Sequence, residues 1–262
     1  MVVNLKGQVA LITGAGSADG IGFATARLLV TDGATVVISS TTDRIFDRVA
    51  ELQAIGAKAL GVVVDMMDDG AASDLVAQAV GFAGGVDICV NNAGMVAVGG
   101  AITSVPVTAT TDFQWSDGIN RNLTTCFAVT RSVLLQMRKS GYGRIVNVAS
   151  TSGPLQAFTG DVAYHAAKAG MVGFTRAVAL ECAAQGITVN AVAPGWIKTG
   201  SQTGVERDAG LVSPIGRSGT SLEVAVAIRF LADPSASYIT GQLLVVDGGN
   251  SLPEDRSAKL NQ

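Results

Sequence analysis

Histidine is almost absent: His165 is the only one in 262 residues. The three cysteines, Cys89, Cys126 and Cys182, are odd in number, far apart and free of any Cys-x-x-Cys spacing. That leaves too few ligands for a structural zinc site, and the thiols are expected to be reduced, as in the cytoplasm. Charge is sparse, at 15% of residues, and no basic run occurs; 18 Lys and Arg stand against 21 Asp and Glu. A net charge of −3 without a basic patch argues against nucleic acid as a partner. Only 6 prolines are present, so long helices go unbroken. The first residues, "MVVNLKGQVALITG", lack the basic segment, apolar core and cleavage site of a secretory leader. Residues 88–111 carry no charge, but their Gly, Thr, Asn and Pro content reads as a strand end and a loop rather than a membrane span. No repeat, low-complexity segment or Pro/Ser linker divides the chain. One domain over 1–262 is expected, cytoplasmic and without a membrane partner, with 250–262 as a polar tail or arm.

What is present is apolar and rich in glycine: 48% hydrophobic residues and 32 glycines. Short Val/Ile/Leu runs alternate with helical patterns. Strands are predicted at 8–13, 35–39, 59–64, 86–90, 144–148, 187–192 and 242–246, and helices at 20–33, 43–55, 71–82, 112–139, 162–184 and 220–231. The strands show little polar alternation, which marks strands covered on both faces. Seven such units separated by helices predict an α/β fold, a Rossmann-type doubly wound parallel sheet of seven strands flanked by helices.

The first strand runs into the first helix through "ITGAGSADGIGFATA". Glycines at 14, 16, 20 and 22 allow a sharp turn and close approach of the backbone to a pyrophosphate, whose charge sits at the helix N-terminus. Dinucleotide sites place an acid at the end of the second strand, on the ribose hydroxyls. Here that end reads Ser39-Ser40-Thr41-Thr42, followed by Asp43 and Arg44. Without a carboxylate, and with hydroxyls and an arginine near, a 2′-phosphate is favoured. Asp19 in the turn counts against that phosphate if it points inward. NADP(H) is therefore expected over NAD(H). Ordinary loop residues, with Asp43 capping the next helix, are the plainer alternative.

Three further pieces carry chemistry. "NNAG" (91–94) follows the fourth strand, "RIVNVAS" ends the fifth at Ser150, and Tyr164 and Lys168 stand four apart on the next helix. Residues four apart share a helix face, whereas neighbours diverge by about 100°. His165 therefore points away from the Tyr164–Lys168 face and is read as a packing or interface residue, not as the acid–base group. Together with the glycine turn, these motifs resemble the short-chain dehydrogenases/reductases. The resemblance runs from Gly7 to about Gly249 and extends to "APG" (193–195), Thr199, "SPIGRSG" (213–219) and "YITGQLLVVDGG" (238–249). It is nearest to the branch of 3-oxoacyl-(acyl-carrier-protein) reductases.

The resemblance implies a Tyr164 that passes a proton to a carbonyl oxygen while the cofactor passes hydride to the carbon. Ser150 would hold that oxygen, with Thr151 and Ser152 as alternatives. Lys168 would lower the phenol pKa and bind the nicotinamide ribose, and Asn122, in "WSDGINRNLTTCF", would hold a water in a proton relay. The cofactor would touch Gly14, Gly16, Ser17, Gly20, Ile21, Gly22, Ser40, Thr41, Arg44, Asp65, Met66, Asn92, Ala93, Gly94, Tyr164, Lys168, Pro194, Gly195, Ile197 and Thr199. A turn or cap role is the lesser alternative for Asp65. A neutral ketone or alcohol is the expected substrate, in a mainly apolar pocket of Met95, Val96, Leu155, Gln156, Phe158 and Trp196. Assembly as a homotetramer is implied, through the two long helices and the last strand. The chain departs from the family in three places. Five residues instead of three separate Gly14 from Gly20. Ser150 to Tyr164 is one residue longer than usual. Gly141 and Gln185 stand where carrier-protein reductases place basic docking residues. A 3-oxoacyl thioester reductase and a non-catalytic cofactor sensor are the alternatives.

Overall fold

In chain order the elements are β1 (Val9–Ile12), α1 (Ile21–Thr31), β2 (Thr35–Ser40), α2 (Arg44–Ala54), β3 (Ala59–Val63), α3 (Ala71–Ala83) and β4 (Ile88–Asn91). Then come α4 (Asp112–Ile119), α5 (Thr125–Ser140), β5 (Gly143–Val148), α6 (Val162–Cys182) and β6 (Ile187–Pro194). The chain closes with β7 (Ile197–Lys198), α7 (Gly204–Leu211), β8 (Gly219–Thr220), α8 (Ser221–Ala232) and β9 (Leu243–Val246). This computed structural model describes residues 3–94 and 105–254. Met95 and Val96, and the polar tail from 255 onward, lie outside the described residues.

Seven strands form one parallel sheet in the order β3-β2-β1-β4-β5-β6-β9. Strand side chains alternate between two buried faces. On β1, Ala10 and Ile12 pack with Phe23, Leu29, Val224 and Ile228 from α1 and α8. Leu11 packs on the other face with Leu75, Val133, Met137 and Val178 from α3, α5 and α6. Both faces are covered, which is why the strands read as unbroken apolar runs. The predicted fold class is the observed one. Its chain order reverses between β1 and β4, and in open α/β sheets the crevice at such a point is where ligands bind.

Two features differ from the sequence reading. The helix expected over 112–139 is broken: α4 and α5 are joined by a π-helical segment, Asn120–Thr124. Within it Asn122 Nδ2 donates to Gly118 O at 3.1 Å and Thr125 Oγ1 to Arg121 O at 3.0 Å; such segments appear inside α-helices mostly as single turns, frequently near functional sites. The segment read as a loop before 220 holds α7, capped by Thr203 and Glu206, and the small parallel pair β7–β8.

A buried polar chain ties the middle of the sheet to its helices. Asn91 Nδ2 donates to Thr130 Oγ1 and to Asn147 Oδ1, each at 2.8 Å, and Asn147 Nδ2 donates to Thr175 Oγ1 at 2.9 Å. Asn147 is fully buried three residues before Ser150. Asn147→Ala strands polar groups on β4 and α6, each costing about 1–3 kcal/mol when unpaired. Urea denaturation should show a loss of about 3 kcal/mol for this variant; a midpoint unchanged from the parent would contradict the assignment.

Candidate active site

A cleft of about 230 Å³ lies beyond the C-terminal ends of β4, β5 and β6 and reaches Ile21 at the start of α1, beside the joined ends of β1 and β4. Thr13 Oγ1 accepts from the backbone N–H groups of Asn92 and Ala93, at 3.1 and 3.0 Å. Asn92 Nδ2 donates to Thr13 O at 3.0 Å and Gly14 O at 2.9 Å. The glycine turn is packed against this tie. A Cβ at Gly14, where φ is +68°, would stand 2.9 Å from Ala93 Cα, and one at Gly22 2.6 Å from Asn92 Nδ2. The lengthened part of the turn closes on itself and on α8: Gly20 N donates to Ser17 O at 3.1 Å, and Ser221 Oγ donates to Asp19 O. Gly20 then caps α1, leaving Ile21 and Gly22 in its first turn, where helix N–H groups have no partner within the helix.

At the far end of the turn, a Cβ at Gly16 would stand 2.6 Å from Ser40 Oγ and 2.8 Å from Arg44 Nε. The Arg44 side chain therefore lies over the turn beside the end of β2. Ser40 Oγ is engaged in a local turn, donating to Thr42 O at 2.9 Å and accepting from Thr42 N at 3.0 Å. Thr41 is exposed. Asp19 Oδ2 lies 3.9 Å from the Cβ position of Gly200, so this carboxylate faces the loop after β7 rather than Arg44. Asp65 Oδ1 accepts from Met67 N at 2.9 Å, the turn role weighed in the sequence; Met66 beside it is half-buried. Asn92, Gly94, Pro194, Gly195, Ile197 and Thr199 line the cleft, as does Ile21. A pyrophosphate fits this turn: bare backbone, a helix N-terminus and one cation on the second strand's side.

Tyr164, Lys168 and Ser150 line the same cleft. The Ser150 hydroxyl stands close enough to the Tyr164 phenol to favour its charged form. Ser150 Oγ also accepts from Ser152 N at 3.0 Å, which makes Ser152 a support for Ser150. Lys168 is buried, and its Nζ donates to Val148 O at 2.9 Å, 5.6 Å from the Tyr164 ring centroid. Burial dominates both groups: it raises the Tyr164 pKa, with Asp161 and Glu206 adding to the rise against the Ser150 hydroxyl. It holds the Lys168 ammonium down, at about 8. Asn122 is buried within the π segment, and a Cβ at Gly94 would stand 2.8 Å from its Oδ1. Among the described residues no group of three or more His, Cys, Asp or Glu is placed to hold a metal, and no helix is long and apolar enough to cross a membrane.

The substrate wall differs from the sequence reading. Phe158 and Trp196 line the cleft, but Leu155 and Gln156 do not. Leu155 is half-exposed, and Gln156 exchanges two hydrogen bonds with Asn250, at 2.8 and 3.1 Å. Met95 falls outside the described residues. In their place stand Gln202 and Glu206 of the α7 segment, with Thr151, Ser152 and Ser201. The wall is more polar than expected. Thr203-x-x-Glu206 is a capping-box pattern, a signal in the sequence that would have placed α7 and its glutamate.

A parallel sheet reversing at the cleft, a glycine turn on a helix N-terminus and a Ser–Tyr–Lys set define a dinucleotide-binding oxidoreductase. A family model described as "Enoyl-(Acyl carrier protein) reductase" matches residues 14–251. The chain is 39% identical over 251 residues to the 3-oxoacyl-(acyl-carrier-protein) reductase FabG of Vibrio harveyi, covering 94% of this chain and 98% of that one. To the enzyme of the same name from Escherichia coli it is 36% identical over the same length. Among solved structures it resembles a short-chain dehydrogenase/reductase from Burkholderia xenovorans, with TM-score 0.89, 36% identity and coverage of 97% and 100%. Levodione reductase matches with TM-score 0.87 and 30% identity, covering 95% of this chain and 99% of that one. The chain belongs to the short-chain dehydrogenase/reductase family, in its 3-oxoacyl-(acyl-carrier-protein) reductase-like branch.

His165 also has a defined place. Its Nε2 accepts from Phe158 N at 3.1 Å and its Nδ1 contacts Asp161 O at 2.6 Å, so Nδ1 carries the proton. The ring packs edge-on against Phe158, centroids 4.4 Å apart. It therefore holds one wall of the cleft. His165→Ala loses a hydrogen bond and a ring contact there, and steady-state kinetics should show KM for a carbonyl substrate rising about fivefold with kcat little changed. A collapse of kcat instead would place His165 in the chemistry.

Proposed function

We propose that the protein is an NADP-dependent carbonyl reductase that interconverts a ketone and its secondary alcohol. The observation that carries the reading is the Ser150–Tyr164 hydroxyl pair, backed by buried Lys168, at the cleft beside the glycine turn. The bound cofactor supplies hydride to the carbonyl carbon, or removes it from the alcohol. Tyr164 Oη gives its proton to the carbonyl oxygen as that oxygen gains charge, and Ser150 donates a hydrogen bond to the same oxygen. Lys168 binds the nicotinamide ribose, and Asn122 holds a water through which the phenol regains its proton. Gly14, Gly16, Ser17, Gly20, Ile21 and Gly22 hold the pyrophosphate, Asp65 and Met66 flank the adenine, and Asn92, Ala93, Gly94, Pro194, Gly195, Ile197 and Thr199 line the nicotinamide half. Arg44, with Ser40 and Thr41, holds the 2′-phosphate.

The 3-oxoacyl thioester reductase is the second reading, favoured by the FabG relatives. It uses the same chemistry on a longer substrate. Gly141 and Gln185, both exposed, offer no cation for an acidic carrier protein. A non-catalytic sensor has no need of a proton donor, so the Ser150–Tyr164 pair argues against it. We take it to be a cytoplasmic homotetramer. Leu135 on α5 and Leu180 on α6 are 62% and 83% exposed, and β9 is a half-covered edge strand. Such faces are suited to pairing between copies.

Tyr164→Phe removes the proton donor, and turnover should fall by at least about 10²-fold while cofactor affinity, read by fluorescence titration, stays near the parent's. The raised phenol pKa gives a sign to the pH profile. Reduction needs the protonated phenol and should hold through neutral pH, falling as pH rises through the Tyr164 pKa; alcohol oxidation should rise over the same range. A reductive rate that falls with an apparent pKa near neutrality would overturn the assignment of the acid.

Arg44 carries the cofactor preference. Loss of a charge-assisted contact to phosphate costs about 1.5–3 kcal/mol, so Arg44→Ala should weaken NADPH about tenfold or more in kcat/KM and spare NADH. Ser40→Asp should shift preference toward NADH by adding the missing carboxylate. A parent that prefers NADH, with Arg44→Ala neutral toward both, would sink the NADP reading.

A further inference from the structure

We propose that Glu206 sets the polarity of the substrate: the cleft takes a carbonyl compound bearing a hydroxyl or ammonium donor on its α7 side and rejects one bearing a carboxylate or phosphate there. This rests on the carbonyl-reductase reading and adds a substrate class to it. The cleft lining holds two charged side chains among the described residues, Lys168 and Glu206. Lys168 lies behind the phenol with its ammonium donated to Val148 O. Glu206 is half-buried, and its two oxygens do different work. Oε2 accepts from Thr203 N at 2.7 Å and from Thr203 Oγ1 at 3.0 Å, closing the capping box of α7. Oε1 has no hydrogen bond among the described residues. The adjacent cation, Arg207, pairs with Asp208 instead. One carboxylate oxygen is thus held by the helix cap while the other remains available on the cleft wall.

Field and geometry agree. Glu206 is near enough to Tyr164 to disfavour its phenolate, in company with Asp161, whose Oδ1 accepts from Tyr164 N at 3.0 Å. A substrate anion on that side would meet this negative charge with no cation to answer it. A hydroxyl or ammonium would instead gain a charge-assisted hydrogen bond. Gln202 beside it has its Nε2 donated to Ser218 Oγ at 2.9 Å, and Glu206 is the one charged acceptor of the cleft lining among the described residues.

The test is Glu206→Gln. Glutamine closes a capping box as glutamate does, and this chain already uses one at Thr111–Gln114, so α7 keeps its cap. With saturating NADPH, kcat/KM is measured for three ketones of one skeleton carrying an ammonium, a hydroxyl or a carboxylate group. The parent should favour the first two over the carboxylate by about tenfold or more, and Glu206→Gln should narrow that ratio by about tenfold. The variant's Tyr164 limb in the pH profile should also move to lower pH, since a negative charge has left its surroundings. Ratios that Glu206→Gln leaves unchanged, with all three ketones turned over, overturn the proposal alone. A parent that reduces none of the three overturns the carbonyl-reductase reading and the proposal with it.

Discussion

The tie between the ends of β1 and β4 is the constraint on which the glycine turn depends. Neighbouring parallel strands whose helices cross to opposite faces must release each other at their ends, and the backbone groups there lose their ladder partners. Unpaired buried groups are costly. One hydroxyl and one carboxamide answer four of them: Thr13 O, Gly14 O, Asn92 N and Ala93 N. The tie draws the two strand ends so close that no side chain fits at Gly14 or Gly22. The glycines are thus demanded by the fold before any ligand arrives. The bare backbone that results is what allows a phosphate close approach.

Behind the reacting groups, burial acts on acid and cation in opposite directions and favours the neutral form of each. It pushes the Tyr164 phenol up and the Lys168 ammonium down. Each charged form loses its hydration, and the Lys168 ammonium gives its hydrogen bond to Val148 O. Asp161 and Glu206 press the phenol the same way. The site therefore stores a proton on Tyr164, the state that carbonyl reduction consumes.

The sheet was legible in the sequence because its inner strands are buried on both faces, and the edge strands β3 and β9, though half-covered, are apolar runs as well. The glycine turn and the Tyr164–Lys168 face were legible because their spacing is local. What escaped the reading was set by tertiary contact. The π-helical break at Asn120–Thr124 lies where Gly94 closes on Asn122, and "INRNLTT" reads as ordinary helix without that approach. The direction of Asp19 was illegible because the two additional turn residues could carry it either way; the Ser221 hydroxyl on α8 fixes the backbone there. Gln156 was misplaced because nothing in the sequence signals its pairing with Asn250, 94 residues on.

The two walls of the substrate end are built on different principles. The wall after β5 is wedged. Gly153, with φ of +102°, passes so close beneath α6 that a Cβ would stand 2.4 Å from His165 O. Gln156 is tied to Asn250 and Phe158 to His165. Three anchors within six residues keep Ser150 in register with Tyr164 despite the additional residue between them. The opposite wall is a short capped helix, and the residue that closes its cap also faces the cleft. A glutamate needs one oxygen to cap a helix and has two. At Glu206 the requirement that forms α7 places a second acceptor where a substrate must pass, so local helix chemistry and substrate selection are carried by the same side chain.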